Sequence, residues 1–337
     1  MRRRILVSAL WGLMCSAPMA QEAIGQGAIP RDTSYTVYQS LLKVRKAYPD
    51  AAPALPVLPE GVTAERSIAY AVLDSTVWGP RTLHLDLFHP RKAGSYPAVV
   101  MVHGGGWRSG DRSMQHPLAM QLAANGYVTV TVEYQLSLEA TYPAAVHNVK
   151  AAIRWLRANA NRYGIDTSRI AISGCSAGGQ LAALVGATNG ISKFEGNQGN
   201  LQHSSAVQAV IDIDGVVDFL APASLNLIRK PDAADVGWFG GTFVQKPEVW
   251  KEASPIFWVG KSTVPYLFIN SGLPRFHAGQ DEMVGILNQH GIYHQVHSID
   301  VKVHPFWLFH PWFSPTVKLM VDFLNRTLKA GEPASAR

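Results

Sequence analysis

From about residue 66 onward the chain alternates between two hydrophobic periods. "RSIAYAVL" (66–73) and "TLHLDLFHP" (82–90) put apolar residues at every second position, the repeat of a strand with one buried face. "PAVVMVHGGGW" (97–107) stays apolar without a break and then runs into glycines, which predicts a strand buried on both faces. "MQHPLAMQLAANG" (114–126) has the spacing of an amphipathic helix, and "YVTVTVEY" (127–134) that of the next strand. "YPAAVHNVKAAIRWLRANANRYG" (142–164) predicts one long helix stopped by Gly164, followed by a short strand at "RIAISG" (169–174). A helix of small and apolar residues, "SAGGQLAALVGAT" (176–188), comes next. Further strands are predicted at 206–215, 264–272 and 292–300, and helices at 278–291 and 314–329. Strands alternating with helices imply a mainly parallel sheet covered on both faces. Residues 219–262 break the pattern, are rich in Trp, Phe, Pro and Lys, and read as a cap or insertion. No internal repeat is visible.

Upstream, residues 21–65 read as an extension: a helical period in "TSYTVYQSLLKVRKAYPD" and an extended, proline-rich linker over 49–62. Residues 1–20 have the form of a signal peptide, with basic "MRRR", apolar "ILVSALWGLM" and small-residue "CSAPMA", cleaved after Ala20 or a few residues later. The paired arginines also fit a twin-arginine signal, and Cys15 lacks a lipobox. The expectation is an exported protein, periplasmic or extracellular, with a catalytic unit at 66–330.

Composition narrows the partners. The 337 residues are 47% hydrophobic and 16% charged, enough for the core of one large α/β domain. Losing Arg2, Arg3 and Arg4 with the signal takes three charges off a net +6, and no dense Lys/Arg stripe remains to hold nucleic acid. Mean hydropathy is near zero, which excludes a polytopic membrane protein, and no membrane span is expected after signal removal. Cys15 leaves with the signal, so Cys175 stands alone and no disulfide is expected.

Two glycine motifs carry the chemistry. "GCSAG" (174–178) matches G-x-S-x-G between a predicted strand and a predicted helix. A serine on so sharp a turn presents its hydroxyl above the sheet, and the flanking glycines let the chain fold that tightly. "HGGGW" (103–107) follows another buried strand, where bare glycine amides approach a substrate oxygen closely. Gly105 and Gly106, with the N–H of Ala177, are the expected oxyanion donors. No lysine or Ser/Thr follows at the spacing of a phosphate-binding loop.

The triad order serine, acid, histidine requires a late base. "VKVHPFWLFHPWF" offers His304 and His310, and His304 comes first after the last strand. His310 is expected to pack or to line the pocket. His290, His294 and His297 would suit a metal only on a helix, and their stretch reads as strand. An aspartate is missing after "YLFINSG", where Pro274 and Arg275 stand. Asp281 is the first choice for the acid and Asp218 the second, with Glu282 or an acid-less dyad also open. Asp218 could equally cap the element after its strand. Cys175 should point away from substrate, and Glu133 reads as a buried structural acid.

"LDLFHP", "PAVVMVHGGGWRSGD", "VEYQLS", the 142–166 stretch and "RIAISGCSAGGQLAALVG" resemble, in order and spacing, α/β-hydrolase esterases of the branch containing bacterial feruloyl and acetylxylan esterases. The resemblance covers roughly residues 66–328, and "HPFWLFHPWF" looks like that branch's histidine loop. It implies an α/β-hydrolase fold with a mainly parallel eight-stranded sheet and a small cap. It also implies a Ser176 nucleophile, a His304 base, an oxyanion loop at Gly104–Gly106 and no cofactor. Gln135 departs from a common arginine.

The expected reaction is serine-dependent hydrolysis of acetyl, feruloyl or methyl esters on plant or algal polysaccharide. The alternatives are a lipase or general short-chain esterase, or a prolyl-oligopeptidase-like peptidase. Trp107, Trp238, Trp258, Trp307 and Trp312 are candidate stacking faces or core residues. Trp107 and Arg275 are the expected substrate-binding residues, with Arg275 facing a carboxylate or simply the surface.

Overall fold

The computed structural model describes residues 29–329. The expected signal segment, 1–20, and the first residues of the extension lie outside the described residues. Among the described residues ten strands form in chain order: β1 (Ala52–Pro53), β2 (Val62–Leu73), β3 (Arg81–Pro90), β4 (Tyr96–Val102), β5 (Val128–Val132), β6 (Ile165–Cys175), β7 (Ala209–Ile213), β8 (Tyr266–Asn270), β9 (His294–Ser298) and β10 (Phe309–His310). Their helices are α1 (Val37–Val44), α2 (His116–Ala124), α3 (Ala144–Ala158), α4 (Ala160–Tyr163), α5 (Ala177–Ala187), α6 (Pro222–Leu225), α7 (Ala234–Phe239), α8 (Pro247–Glu252), α9 (Gln280–Gln289) and α10 (Phe313–Leu328).

Eight strands make one sheet in the order β2-β3-β5-β4-β6-β7-β8-β9. The run from β5 to β9 is parallel, and β3 is antiparallel to both β2 and β5 at one edge. This is the α/β-hydrolase architecture. The eight sheet strands correspond to the eight hydrophobic runs in the sequence. Where both faces are covered, the alternation of β geometry splits one apolar run between two cores. Ala98, Val100 and Val102 of β4 join the cluster under α3 and α5, while Val99 and Met101 join the cluster under α2 and α10.

Three expectations are refined. The helix expected over 142–164 is two, α3 and α4, because Asn159 leaves helical geometry between them. Gly164, left-handed at φ 63°, ends the second, as its position predicted. The extension and linker are docked on the domain: Leu41 and Val44 of α1 are buried, the Tyr48 ring meets Trp312 edge-on at 5.0 Å, and β1 pairs with β10. The insertion over 219–262 folds onto the core. Trp238 and Trp250 are buried there among Phe219 and Phe239.

Two buried cations on α3 hold the loop after α5. Lys150 Nζ lies 2.9 Å, and Arg154 Nη1 3.0 Å, from the carboxylate of Glu195, and both side chains are almost wholly inaccessible. Opposite charges in so dry a place stabilise only as a set, and removing the carboxylate leaves two buried positive charges. Glu195→Ala is therefore expected to lower unfolding stability by about 3–5 kcal/mol in a urea titration; a loss below about 1 kcal/mol would show the triad to be dispensable.

Candidate active site

β6 ends at Cys175, and the chain turns into α5 on a single residue. Ser176 sits at φ 55° and ψ −121°, a region that costs a non-glycine residue roughly 1–3 kcal/mol. The neighbours make the turn possible. A Cβ on Gly174 would lie 1.9 Å from the carbonyl oxygen of Gly178, and one on Gly178 would lie 2.2 Å from that of Val102. Only bare α-carbons let β6, α5 and β4 come this close. The amide of Ser176 donates to Ile213 O at 2.8 Å, tying the turn to β7.

The imidazole of His304, in the loop after β9, meets this serine. Its Nε2 lies 2.7 Å from Ser176 Oγ, and its Nδ1 lies 2.9 Å from Asp214 Oδ2. With Nδ1–H donating to the carboxylate, Nε2 is free to accept from the hydroxyl. The ring is clamped as well. Phe276 stacks on it, with centroids 3.4 Å apart and planes 10° apart, and Trp307 presents an edge at 5.2 Å. Burial holds the His304 pKa below its ordinary value; the bond to Asp214 opposes this, and the nearby charge of Arg275 adds to it.

The carboxylate at the imidazole is Asp214, which corrects the expectation of Asp281 or Asp218. β7 ends at Ile213, and Asp214 adopts φ 52°, so its side chain leaves the strand toward His304. Its amide donates to Ile269 O, and its Oδ1 accepts the Ser271 amide at 2.7 Å. Asp281 is exposed on the first turn of α9, beyond the turn of Pro274–His277 that brings Phe276 against His304. Glu282 is exposed beside it. Asp218 turns back on its own loop, where Oδ1 accepts the Leu220 amide at 2.8 Å, so it caps local structure. The stretch "IDIDG" holds Asp214 at the end of a predicted strand, and its alternation alone does not set Asp214 apart from Asp212. Asp212, two residues earlier, differs in staying within the strand, buried against Gly179 and Gly215, where burial pushes its carboxyl well above the usual range.

A cavity of about 380 Å³ opens over Ser176. Gly106 and Ala177 border it, as oxyanion donors must, and Ala177 is the first residue of α5, whose amide has no partner within the helix. Gly105 does not border the cavity. It makes the turn at φ 123°, its carbonyl accepting from Ser109, where any side chain would collide with the Ser109 backbone. Trp107 is both wall and core: its ring stacks on Trp238 at 4.6 Å, and Nε1–H donates to Gln180 Oε1 at 3.0 Å. Leu227 and Ile228 of the insertion, with Arg275 and Phe276, complete the rim.

Arg108, two residues after Gly106, ties the glycine loop to two other segments. Its guanidinium lies 2.8 Å from Asp32 of the N-terminal extension and donates to the Asp232 carbonyl in the insertion.

The other candidates fall outside the cluster. His310 is exposed in β10 with its ring edge on Phe313. Cys175 is buried against Gln115, and burial pushes its thiol up, away from reactive thiolate. Glu133 pairs with Arg81 and Arg112, and the buried Gln135 hydrogen-bonds Asn148. Trp258 packs on Phe194. Among the described residues no group of three His, Cys, Asp or Glu is placed to hold a metal, His290, His294 and His297 included.

Residues 85–293 match the family described as BD-FAE. The chain belongs to the BD-FAE esterase family. Esterase LipC of Mycobacterium tuberculosis is 34% identical over 177 residues, which cover 52% of this chain and 43% of LipC. The probable carboxylic ester hydrolase LipM of the same organism is 27% identical over 65% of this chain and 50% of its own length. The matches thus span about half the length of these curated relatives. Among solved structures, a truncated carbohydrate esterase from gut microbiota superposes with a TM-score of 0.68 at 26% identity, over 79% of this chain and 96% of that one. A bifunctional GH43-CE protein of Bacteroides eggerthii does so with a TM-score of 0.68 at 27% identity, over 80% of this chain and 38% of that one.

The packing at the elbow predicts the effect of one methyl group. Gly178→Ala must push α5 away from the Val102 carbonyl and is expected to cost about 1–3 kcal/mol. Thermal unfolding of the variant at or above the wild-type midpoint would contradict that close approach.

Proposed function

We propose that the chain is a serine carboxylic ester hydrolase working through an acyl-enzyme. The single observation that carries this is the hydrogen-bonded line from Asp214 through His304 to Ser176, opening into a cavity bordered by Gly106 and Ala177. His304 takes the proton of Ser176 as the oxygen attacks the ester carbonyl. The oxyanion is held by the amides of Gly106 and Ala177, on the N-terminal side of α5 where helix dipoles favour negative charge. Asp214 keeps Nδ1 protonated and stabilises the imidazolium. His304 then protonates the leaving alcohol, and water repeats the sequence on the acyl group.

We assign the substrate to esters carried by polysaccharide or oligosaccharide, as acetyl, feruloyl or methyl groups, and the site of action to outside the cytoplasm. The names of the carbohydrate esterases that share the fold at 26% and 27% identity support the first, and the leader-like first 20 residues support the second. A general short-chain esterase is the second reading, favoured by the names LipC and LipM and by the exposed Leu227 and Ile228 at the rim. Acetate release from acetylated xylan distinguishes them: the first reading predicts it, and turnover confined to short-chain glycerides would favour the second.

Ser176→Ala should lower kcat on 4-nitrophenyl acetate by roughly 10⁴–10⁶ with the fold intact; undiminished turnover would refute the nucleophile. Asp214→Asn should lower kcat by about 10⁴, while Asp281→Asn stays close to wild type. The reverse pattern would return the acid to Asp281. Because burial disfavours the charged imidazole and catalysis needs the neutral one, kcat/KM should lose activity toward acid with an inflection below about 6.5. An inflection above 7 would contradict the environment described for His304.

A further inference from the structure

The loop that lacks an acid carries a cation instead. Arg275 sits one residue before Phe276, and its guanidinium lies over the Phe276 ring at 4.3 Å. The other stacking contact of Phe276 is with the His304 imidazole. Guanidinium, phenyl ring and imidazole therefore form a continuous stack that fixes Arg275 relative to the reacting atoms. Its side chain is exposed, borders the cavity over Ser176, and has no carboxylate partner among the described residues. The other charges at this cavity have partners or counterparts: the buried Asp214 carboxylate is held by His304 Nδ1 and the Ser271 amide. Arg229 is paired with Asp235 at 2.6 Å, and Lys230 and Asp232 bring one charge of each sign.

The side of the ester that faces Arg275 follows from the mechanism. His304 must hand its proton to the leaving oxygen, so the alcohol half of the ester lies on the imidazole's side. We propose that Arg275 binds a carboxylate on the alcohol half of the substrate, so that the enzyme prefers acyl groups carried by a hydroxy acid, such as an O-acylated uronate, over those carried by a neutral alcohol. The inference rests on the esterase reading above and names its substrate class. Arg275 is a specificity residue: it touches the part of the alcohol that does not react. A guanidinium suits this task because its planar fork meets a carboxylate with two parallel hydrogen bonds.

The test uses two acetyl esters of matched shape, 4-acetoxybenzoate and 4-acetoxybenzamide, at pH 8, where His304 is neutral. The ratio of their kcat/KM values, anionic over neutral, is measured for the wild type and for Arg275→Gln, at low and at high salt. A solvent-accessible ion pair predicts a wild-type ratio that exceeds the variant's by roughly fivefold, with the difference shrinking in salt. Arg275→Lys should recover part of it. Phenyl hydrogen succinate, with the charge on the acyl half, should show no such dependence. A ratio equal in wild type and Arg275→Gln, with both acetyl esters hydrolysed, would overturn the inference and leave the esterase reading standing. Failure of the wild type to hydrolyse either ester would overturn both.

Discussion

Everything at this site depends on one half-buried imidazole held from two ends. Asp214 fixes Nδ1 and so decides which nitrogen of His304 faces the hydroxyl of Ser176. The three groups come from three distant parts of the chain: the end of β7, the loop after β9 and the turn between β6 and α5. Their convergence is a product of the parallel sheet. β6, β7, β8 and β9 are neighbours in that order, so their carboxyl ends open on one edge, and the loops that leave them meet there. Sheet order brings the loops together, and local backbone geometry then aims the side chains.

That aiming needs unusual backbone. Ser176 and Asp214 both have positive φ, near 55° and 52°, and neither is a glycine. Such conformations persist only where the surroundings over-determine them. For Ser176 the surroundings are Gly174 and Gly178, whose missing side chains admit the carbonyls of neighbouring elements. For Asp214 they are two β8-side partners, the carbonyl of Ile269 and the amide of Ser271, which hold the residue from its own amide and from its carboxylate. The glycine loop at 104–106 has a comparable anchor in Arg108, which joins it to the N-terminal extension and to the insertion. The N-terminal extension, which reads in sequence as lying outside the catalytic unit, thus contributes through Asp32 to the scaffold of the oxyanion loop.

The sheet was legible because its signals are local. Eight apolar runs of strand length alternate with helical periods, and each became a strand of the sheet. Ser176 was legible because the turn demands glycines at fixed offsets, and His304 because the loop after the last strand has few ways back to the serine. Asp214 was hidden. "IDIDGVVD" holds three aspartates within seven residues, and strand alternation alone puts Asp212 and Asp214 on one face. What separates them is the positive φ of Asp214, set by contacts with β8 some 55 residues away, and no pattern in the stretch itself records those. The pairing of Ala52–Pro53 with Phe309–His310 was hidden for the same reason: its partners lie at opposite ends of the chain.

The most direct measurement of the central claim is covalent trapping. A 4-nitrophenyl alkylphosphonate mimics the tetrahedral intermediate and reacts with a serine only when a positioned base activates it. Mass spectrometry of the labelled protein should place one phosphonyl group per chain on the peptide containing Ser176, with labelling abolished by His304→Ala. A label on any other residue, or one that survives loss of the imidazole, would contradict the account.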